Sequence, residues 1–486
     1  MSELNEWLNP RWFKQSAKSS GCPLQRHLYE TLKQAMQAGR LQAGAVLPGS
    51  RELARELGMG RNGVIHAYEQ LAAEGYVQAT RQGTVVAAME KTPGRALPLQ
   101  GHAGLSRRVQ KAHRRRTPDD EMLPFMPGIP ALDAFPIKRW QRLLDQARKQ
   151  GGAAELSYRH VAGEPELRQA IATYLRASRG VRCTADQVLI TDGTQQALEL
   201  CARLLADEGD TAWIEHPGYG GARIALAHAG LKLQAITVDD QGLNPPDDWW
   251  QSRTPKLIYT TPSHQYPLGS VLSLTRRMAL IERARQHGTW LLEDDYDSEF
   301  RHDGPPLTAM QGQVPGSPVV YLGTFSKTLF PALRLGFIVV PASVADQTLG
   351  VFGELVRKGH ADLQRALAAF IDEGHFTQHL RRMRKLYRER QHALREAIAL
   401  HWPLPHQVLG GQAGMHLVLS LPEACPDHDL AALAMQRGLS PRPLSAYSTG
   451  GIDGFNGLVM GYANTPQADM GRHIVVLAAL AQQAAK

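Results

Sequence analysis

The chain has 486 residues, of which 43% are hydrophobic, and this length predicts two or three domains. None of its four cysteines is paired at metal-ligand spacing, which argues against a zinc site and a disulfide scaffold and fits a reducing compartment. The first residues contain no apolar signal-peptide stretch, and no run of ~18 apolar residues occurs anywhere. We therefore expect a soluble cytoplasmic protein without a metal site or a membrane span.

The net charge of +8 is concentrated at one end of the chain. Residues 1–90 carry 10 basic and 8 acidic side chains, and residues 91–120 carry 8 basic and 2 acidic ones. The remaining 366 residues hold 36 of each sign and are neutral. This distribution is typical of a nucleic-acid-binding front attached to a neutral globular body.

Three short helices and a two-stranded ribbon are predicted in the first 90 residues. Leucines that recur every four residues predict a helix from Pro23 onward. A second helix is expected to begin at Ser50, with the serine hydroxyl as its cap, and a third spans 61–74. Residues 76–80 and 84–88 form the ribbon, and the first 20 residues carry no clear signal. A helix of this kind fits the major groove of DNA, while a ribbon reaches the backbone or the minor groove.

The stretch LPGSRELARELGMGRNGVIHAYEQLAAEGYV resembles the GntR-type winged helix-turn-helix, and the match covers residues 21–88. Gly60 and Gly63 depart from the family, in which a capping Ser and a Thr are usual. A glycine inside a helix costs about 0.5–1 kcal/mol relative to Ala, which predicts a recognition helix that DNA helps to order. The resemblance implies DNA contacts by six residues: Arg51, Arg61, Asn62, His66, Arg81 and Gly83.

Residues 91–121, including SRRVQKAHRRRTPDD, are interpreted as an exposed basic linker, because periodicity is lost there and Pro, Gly, Arg and His dominate. Residues 122–486 follow as an α/β domain in which β-branched runs alternate with helical patterns, which favours parallel strands joined by helices. The predicted strands are 187–191, 211–215, 256–260, 290–293, 319–324 and 336–340.

Several motifs of this domain each suit one part of a single cofactor. Gly193, Thr194 and Gln195 lie at a strand-to-helix turn, where backbone amides favour a phosphate. In EHPGYGGAR, Tyr219 is placed to stack on a planar ring, although ordinary core packing is the alternative. In TTPSHQYPLGS, polar groups on a loop after a strand are candidates for contacts with the ring edge, chiefly Ser263 and His264.

The residues that are candidates for reacting with the cofactor lie in two segments, WLLEDDYDSEFR and VVYLGTFSKTLFPALRLGF. A carboxylate that faces a pyridine nitrogen keeps it protonated and makes the ring an electron sink, and Asp294 is the candidate for this role. Tyr296 is a candidate partner for the ring hydroxyl. Lys327, which follows a buried strand, is placed to form a Schiff base with an aldehyde cofactor. Three residues around it are candidates for binding the phosphate: Thr324, Ser326 and Arg334.

Together these motifs resemble the fold-type I enzymes that depend on pyridoxal 5'-phosphate, the aspartate-aminotransferase fold. Joined to the GntR-type head, nearly the whole chain resembles the MocR/GabR group of transcriptional regulators. That resemblance implies a fold-type I domain, pyridoxal 5'-phosphate as cofactor, and a homodimer that reads two DNA half-sites.

Two departures from related aminotransferases bear on function. The arginine that binds the substrate carboxylate in those enzymes is missing from the segment LVMGYAN, where Leu458 and Val459 stand, and Arg442 or Arg223 is the candidate replacement. His160-Val161 stands where relatives usually have Asp-Pro, close to the mouth of the site.

The leading hypothesis is a regulator of operator DNA that senses a small amine, an amino acid or pyridoxal phosphate through its bond to Lys327, in the bacterial cytoplasm and at the nucleoid. A working aminotransferase with an accessory DNA-binding domain is the alternative, and a residual transaminase half-reaction is compatible with either.

Overall fold

The computed structural model describes residues 8–88, 122–152, 157, 159–302, 304, 306–356, 359–448 and 454–485. The chain divides into two compact units, Met1–Leu105 and Ser106–Lys486. The predicted linker lies outside the described residues, so its role and the domain boundaries at 90 and 122 stay predictions. No helix in the described part of the chain is long and apolar enough to cross a membrane.

The first unit consists of four helices and a hairpin. The helices are α1 (Pro10–Ser20), α2 (Leu24–Gln37), α3 (Ser50–Leu57) and α4 (Arg61–Ala73), and the hairpin strands are β1 (Val77–Thr80) and β2 (Gly83–Val86). Helix α4 buries one face, namely Val64, Ala67, Tyr68 and Leu71. A partly exposed ion pair and a hydrogen bond connect α2 to the residue after α4. Lys33 Nζ lies 2.6 Å from Glu74 Oε2, and the Tyr29 hydroxyl donates to Glu74 Oε1.

Two local predictions in this unit need correction. Ser50 is the first residue of α3, and the cap position belongs to Gly49, with no side-chain hydrogen bond to the helix end. The first 20 residues contain helix α1, which the search for apolar periodicity missed. Asn9 Oδ1 caps this helix by accepting from the amide of Arg11 at 2.9 Å, and Pro10 occupies its first turn. An Asn-Pro pair of this kind is a helix-start signal.

The second unit contains eleven helices and twelve strands among its described residues. The helices are α5 (Ile137–Gln150), α6 (Pro165–Arg179), α7 (Thr194–Leu205), α8 (Gly220–His228), α9 (Trp249–Ser252), α10 (Leu274–His287), α11 (Ala345–Leu355), α12 (Ala361–Asp372), α13 (His375–His401), α14 (Asp427–Gln436) and α15 (Met470–Ala484). The strands are β3 (Val188–Thr191), β4 (Thr211–His216), β5 (Lys232–Asp239), β6 (Gly242–Leu243), β7 (Leu257–Thr260), β8 (Trp290–Asp295), β9 (Val319–Thr324), β10 (Gly336–Val339), β11 (Val408–Leu409), β12 (His416–Ser420), β13 (Arg442–Pro443) and β14 (Gly457–Gly461).

The main sheet of the described residues has the strand order β3-β10-β9-β8-β7-β4-β5-β6. Strands β5, β4, β7, β8 and β9 are parallel neighbours, as the alternating pattern predicts. The expectation of parallel strands is wrong for β10, which runs antiparallel to both β9 and β3. A short connection from β9 to β10 without a crossover helix forces this direction, since parallel neighbours need a long crossover.

The candidate site lies at the carboxyl ends of the parallel strands of the main sheet. The carboxyl ends of β4, β7, β8 and β9 lead directly into the segments that carry the predicted motifs. In open α/β sheets, this edge is where ligand crevices form. A second sheet, with the order β11-β12-β14-β13, is antiparallel throughout.

Candidate functional site

The DNA-facing candidates of the first unit are all exposed. Arg61, Asn62 and His66 lie along the first turns of α4, and Asn62 and His66 lie on the side opposite its buried face. Arg51 lies in the first turn of α3, and Arg61 Nε donates to the Ser50 hydroxyl at 3.4 Å, which connects the two helix starts. Arg81 and Gly83 lie at the tip of the hairpin. A helix start and a ribbon tip that carry exposed polar groups suit groove and backbone contacts with DNA.

Asp294, near the end of β8, is a buried carboxylate with one oxygen still available. Its Oδ2 accepts a hydrogen bond from the Tyr259 hydroxyl at 2.8 Å, whereas its Oδ1 is buried without a partner. Burial raises the pKa of Asp294 to about 7, and the Tyr259 hydrogen bond opposes this rise. A buried oxygen of this kind accepts a charged donor such as a protonated ring nitrogen.

Tyr296 and His264 contact each other. The Tyr296 hydroxyl lies 2.9 Å from His264 Nδ1, and the two rings are stacked with centroids 5.9 Å apart. His264 Nδ1 also lies 2.9 Å from Asp297 Oδ1. His264 Nδ1 therefore contacts both Asp297 and Tyr296. The predicted contact of His264 with the cofactor ring stays a prediction.

Lys327 follows β9 in a turn and is half-buried. Its Nζ donates to the Gly128 carbonyl at 2.8 Å. A Cβ at Gly128 would lie 2.9 Å from Lys327 Nζ, and Gly128 has a φ of +80°. Gly128 therefore leaves the room in which the lysine amine sits, a role that sequence reasoning missed.

The turn from β3 to α7 brings the predicted phosphate-binding groups together. Gly193 is the residue before α7, with a φ of +91°, and Thr194 and Gln195 open the helix. Arg334 Nη2 donates to the Asp192 carbonyl at 2.7 Å, and a Cβ at Gly193 would lie 3.6 Å from Arg334 Nη1. A helix start with an adjacent guanidinium is a favourable place for a phosphate.

Two further candidates take part in hydrogen bonds within the protein. Thr324 Oγ1 accepts from the Ser326 amide at 3.2 Å, which shapes the turn before Lys327. Ser263 Oγ accepts from Nη2 of Arg179 at 3.0 Å, and that buried guanidinium is paired with Asp295 at 2.8 Å. The Ser263 hydroxyl is therefore directed at Arg179, and its predicted contact with the ring edge remains a prediction.

The effector-binding candidates come from separate elements. Arg223, on α8, donates from Nη1 to the Ser448 carbonyl at 2.9 Å. Arg442 lies in β13 directly opposite Val459 of β14, the strand in which the family arginine is missing. Tyr219 precedes α8, and its ring contacts the edge of the Tyr266 ring at a centroid distance of 6.1 Å.

Sequence reasoning also missed Tyr259, Asp297 and Glu215. Tyr259 lies inside a short apolar strand, where nothing distinguishes it from core residues, and Asp297 stands in a motif whose other members drew attention. Buried Glu215 accepts from the hydroxyls of Thr260 and Thr261 at 2.7 and 2.6 Å and so fixes the loop that carries His264.

Two family descriptions match the chain. "Bacterial regulatory proteins, gntR family" matches residues 24–86, and "Aminotransferase class I and II" matches residues 128–447. The probable rhizopine catabolism regulatory protein MocR of Rhizobium meliloti is 42% identical over 88% of each chain. The chain belongs to the MocR group of helix-turn-helix regulators. The predicted winged helix-turn-helix and fold-type I domain are thereby confirmed.

Two further similarities extend this result. The pyridoxine biosynthesis transcriptional regulator PdxR of Corynebacterium glutamicum is 30% identical over 90% of this chain and 91% of its own. The crystal structure of LysN, an α-aminoadipate aminotransferase from Thermus thermophilus, covers 74% of this chain and 92% of its own at 27% identity and a TM-score of 0.67. That enzyme was crystallised with N-(5'-phosphopyridoxyl)-L-leucine. Aminotransferases of class I and II depend on pyridoxal phosphate, so the predicted cofactor is confirmed for the family.

The residues of this chain fit that cofactor. The unpartnered oxygen of Asp294 suits the ring nitrogen, the amine of Lys327 suits the aldehyde, and the helix start at Gly193 beside Arg334 suits the phosphate.

A pH-dependent stability difference is expected from Asp294→Asn in the cofactor-free protein. The pKa of Asp294 lies near 7 in the folded chain instead of 3.8, so the folded state loses stability as the pH rises from about 4 through 7. Asn removes this cost, which is on the order of 4 kcal/mol at pH 8 at 1.36 kcal/mol per pKa unit. Thermal unfolding at pH 5 and pH 8 measures it, and the variant should exceed the wild type chiefly at pH 8.

Asp186→Asn is the matched control, because the Asp186 side chain is 93% exposed. A stability difference for Asp294→Asn that is the same at both pH values, or equal to that of the control, would contradict the raised pKa.

Proposed function

We propose that the GntR-type unit binds operator DNA and that the aminotransferase-type unit holds pyridoxal phosphate and detects a small amine or amino acid. The observation that carries the proposal is the buried, unpartnered oxygen of Asp294 in a unit that also presents Lys327. Bound pyridoxal phosphate supplies an aldehyde that exchanges one amine for another and a ring that withdraws electrons. We propose the bacterial cytoplasm, at the chromosome, as the location and a homodimer as the working form.

Each candidate residue has a role in this proposal. Lys327 forms the covalent attachment, and its hydrogen bond to Gly128 orients the amine in the free protein. Asp294 holds a proton on the ring nitrogen, and the Tyr259 hydroxyl keeps the carboxylate oriented. The amides at the start of α7, with Arg334, bind the phosphate.

For the effector, we propose recognition of a carboxylate by Arg442 or Arg223. The support for Arg442 is its position opposite Val459, beside the strand from which the usual arginine is absent. The support for Arg223 is that its guanidinium donates to the Ser448 carbonyl. A carboxylate of the effector would replace this carbonyl as the acceptor. A carboxylate matches the fork of an arginine in a bidentate pair.

Lys327→Ala tests the cofactor proposal. We expect the wild type to develop a visible absorption band on addition of pyridoxal phosphate, because the lysine amine condenses with the aldehyde, and we expect the variant to lack it. Lys385→Ala is the control, since the Lys385 side chain is 82% exposed, and it should retain the band. A wild type that stays colourless with the cofactor, or a Lys327→Ala protein with the wild-type band, would refute the proposal.

Arg61→Ala tests the DNA proposal. On DNA selected by the wild type from a random pool, we expect a loss of about 1–3 kcal/mol of discrimination against random DNA, because a base contact is removed. Arg26→Ala, on α2 and paired with Glu30, is the control and should preserve discrimination. Binding isotherms on both DNAs at one salt concentration measure the effect, and an equal loss on both would argue against base reading by Arg61.

A further inference from the structure

One ring nitrogen, Nδ1 of His264, has more neighbours than it has hydrogen-bonding capacity. It lies 2.9 and 3.1 Å from the two carboxylate oxygens of Asp297 and 2.9 Å from the Tyr296 hydroxyl. The side chains of His264 and Asp297 are each 1% exposed, so water does not share these contacts. The other ring nitrogen, Nε2, is buried and has no partner.

Counting protons decides how these groups are arranged. A ring nitrogen carries either one hydrogen or one lone pair, so Nδ1 cannot donate to Asp297 and accept from Tyr296 at once. Burial raises the pKa of Asp297, and the contact with His264 opposes this rise and favours the ionised carboxylate. An ionised Asp297 offers only acceptors, and both of its oxygens lie within 3.1 Å of Nδ1, which places the hydrogen on Nδ1. Nε2 then carries the lone pair, which suits its lack of an acceptor. Tyr296 therefore keeps its own proton for a bond directed away from His264.

The hydroxyl proton of Tyr296 has no acceptor within the described part of the protein. Among the described residues, the Tyr296 hydroxyl has no partner besides His264. A Cβ at Gly414 would overlap the His264 ring and Asp297, so the pair is enclosed on that side. The other ionisable groups that face the pair or Tyr296 come from several elements, and they are Asp294 and Asp295 of β8, Glu299 after β8, Glu215 of β4, Lys327 after β9, His416 of β12, and Tyr266 and Tyr462. His416 is neutral because burial lowers its pKa to about 3, and its Nε2 is bound to the Pro267 carbonyl at 2.9 Å.

We propose that Asp297 and His264 form a positioning pair that directs the hydroxyl proton of Tyr296 towards the ring hydroxyl oxygen of the bound cofactor. The inference rests on the proposed function, and it assigns His264 a role exerted through Tyr296. A donor aimed at that oxygen favours its ionised form. The pair therefore lowers the pH at which the visible band of the Lys327-bound cofactor titrates.

The test is a pH titration of the visible band in four cofactor-loaded proteins: the wild type, Tyr296→Phe, Asp297→Leu and the double variant. Tyr296→Phe removes the donor and is expected to raise the apparent pKa of the band by about one unit or more. Asp297→Leu frees Nδ1 to accept the Tyr296 proton and should reproduce most of that rise. The double variant should show no further rise, because Asp297 acts through Tyr296.

One control variant and two further outcomes separate the possible failures. Asp297→Asn retains an oxygen that accepts from Nδ1–H and should restore an apparent pKa close to that of the wild type. An unchanged pKa in Asp297→Leu, or rises that add in the double variant, would overturn the positioning pair. A wild type without any visible band would instead refute the proposed cofactor binding.

A second measurement keeps the inference testable if Asp297→Leu does not fold. Nitrogen chemical shifts of ¹⁵N-histidine-labelled, cofactor-free wild type report which ring nitrogen carries hydrogen, and His264→Gln assigns the signal. Hydrogen on Nδ1 is expected, and a bare Nδ1 with hydrogen on Nε2 would overturn the proposal.

Discussion

Five carboxylates are buried within the seven residues Glu293–Glu299, at the end of the central strand β8, and the site depends on how each is compensated. Glu293 accepts from the amides of Met310 and Gln311 at 2.8 and 3.0 Å, which fixes the segment before β9. Asp295 is paired with Arg179, a guanidinium whose side chain is 1% exposed. A buried carboxylate is costly unless hydrogen-bond donors or a cation compensate it, and these contacts supply that compensation at the end of β8.

Asp294 and Asp297 differ from their neighbours because their partners belong to the candidate site. Asp294 is satisfied on one oxygen alone, by Tyr259, which leaves the other for a ligand. Asp297 is satisfied by His264 and thereby affects Tyr296. Strand β8 and the residues after it therefore contribute both to the core of the large unit and to its candidate site. A neutral substitution at Asp294 should relieve the fold and remove a function, the usual conflict at a functional site.

The residue types and their order along the chain predicted both units, because helix periodicity, strand runs and the motifs around Lys327 and Asp294 are local signals. Local signals did not reveal that β10 runs antiparallel, since strand direction depends on the connection and on the neighbouring strands. They also did not reveal that Tyr259 supports Asp294 or that Gly128 makes room for Lys327, because these pairs are 35 and 199 residues apart. Helix α1 was predictable from Asn9 and Pro10, but these residues are a capping signal and not a pattern of apolar spacing.

We propose that cofactor chemistry in one unit controls DNA binding by the other, which is a coupling free energy between two sites. The most direct measurement compares the affinity for wild-type-selected DNA with and without pyridoxal phosphate, for the wild type and for Lys327→Ala at one salt concentration. We expect the cofactor to change the affinity of the wild type by at least about fivefold and to leave that of the variant unchanged. Equal affinities of the wild type in both states, or a response that survives in Lys327→Ala, would contradict it.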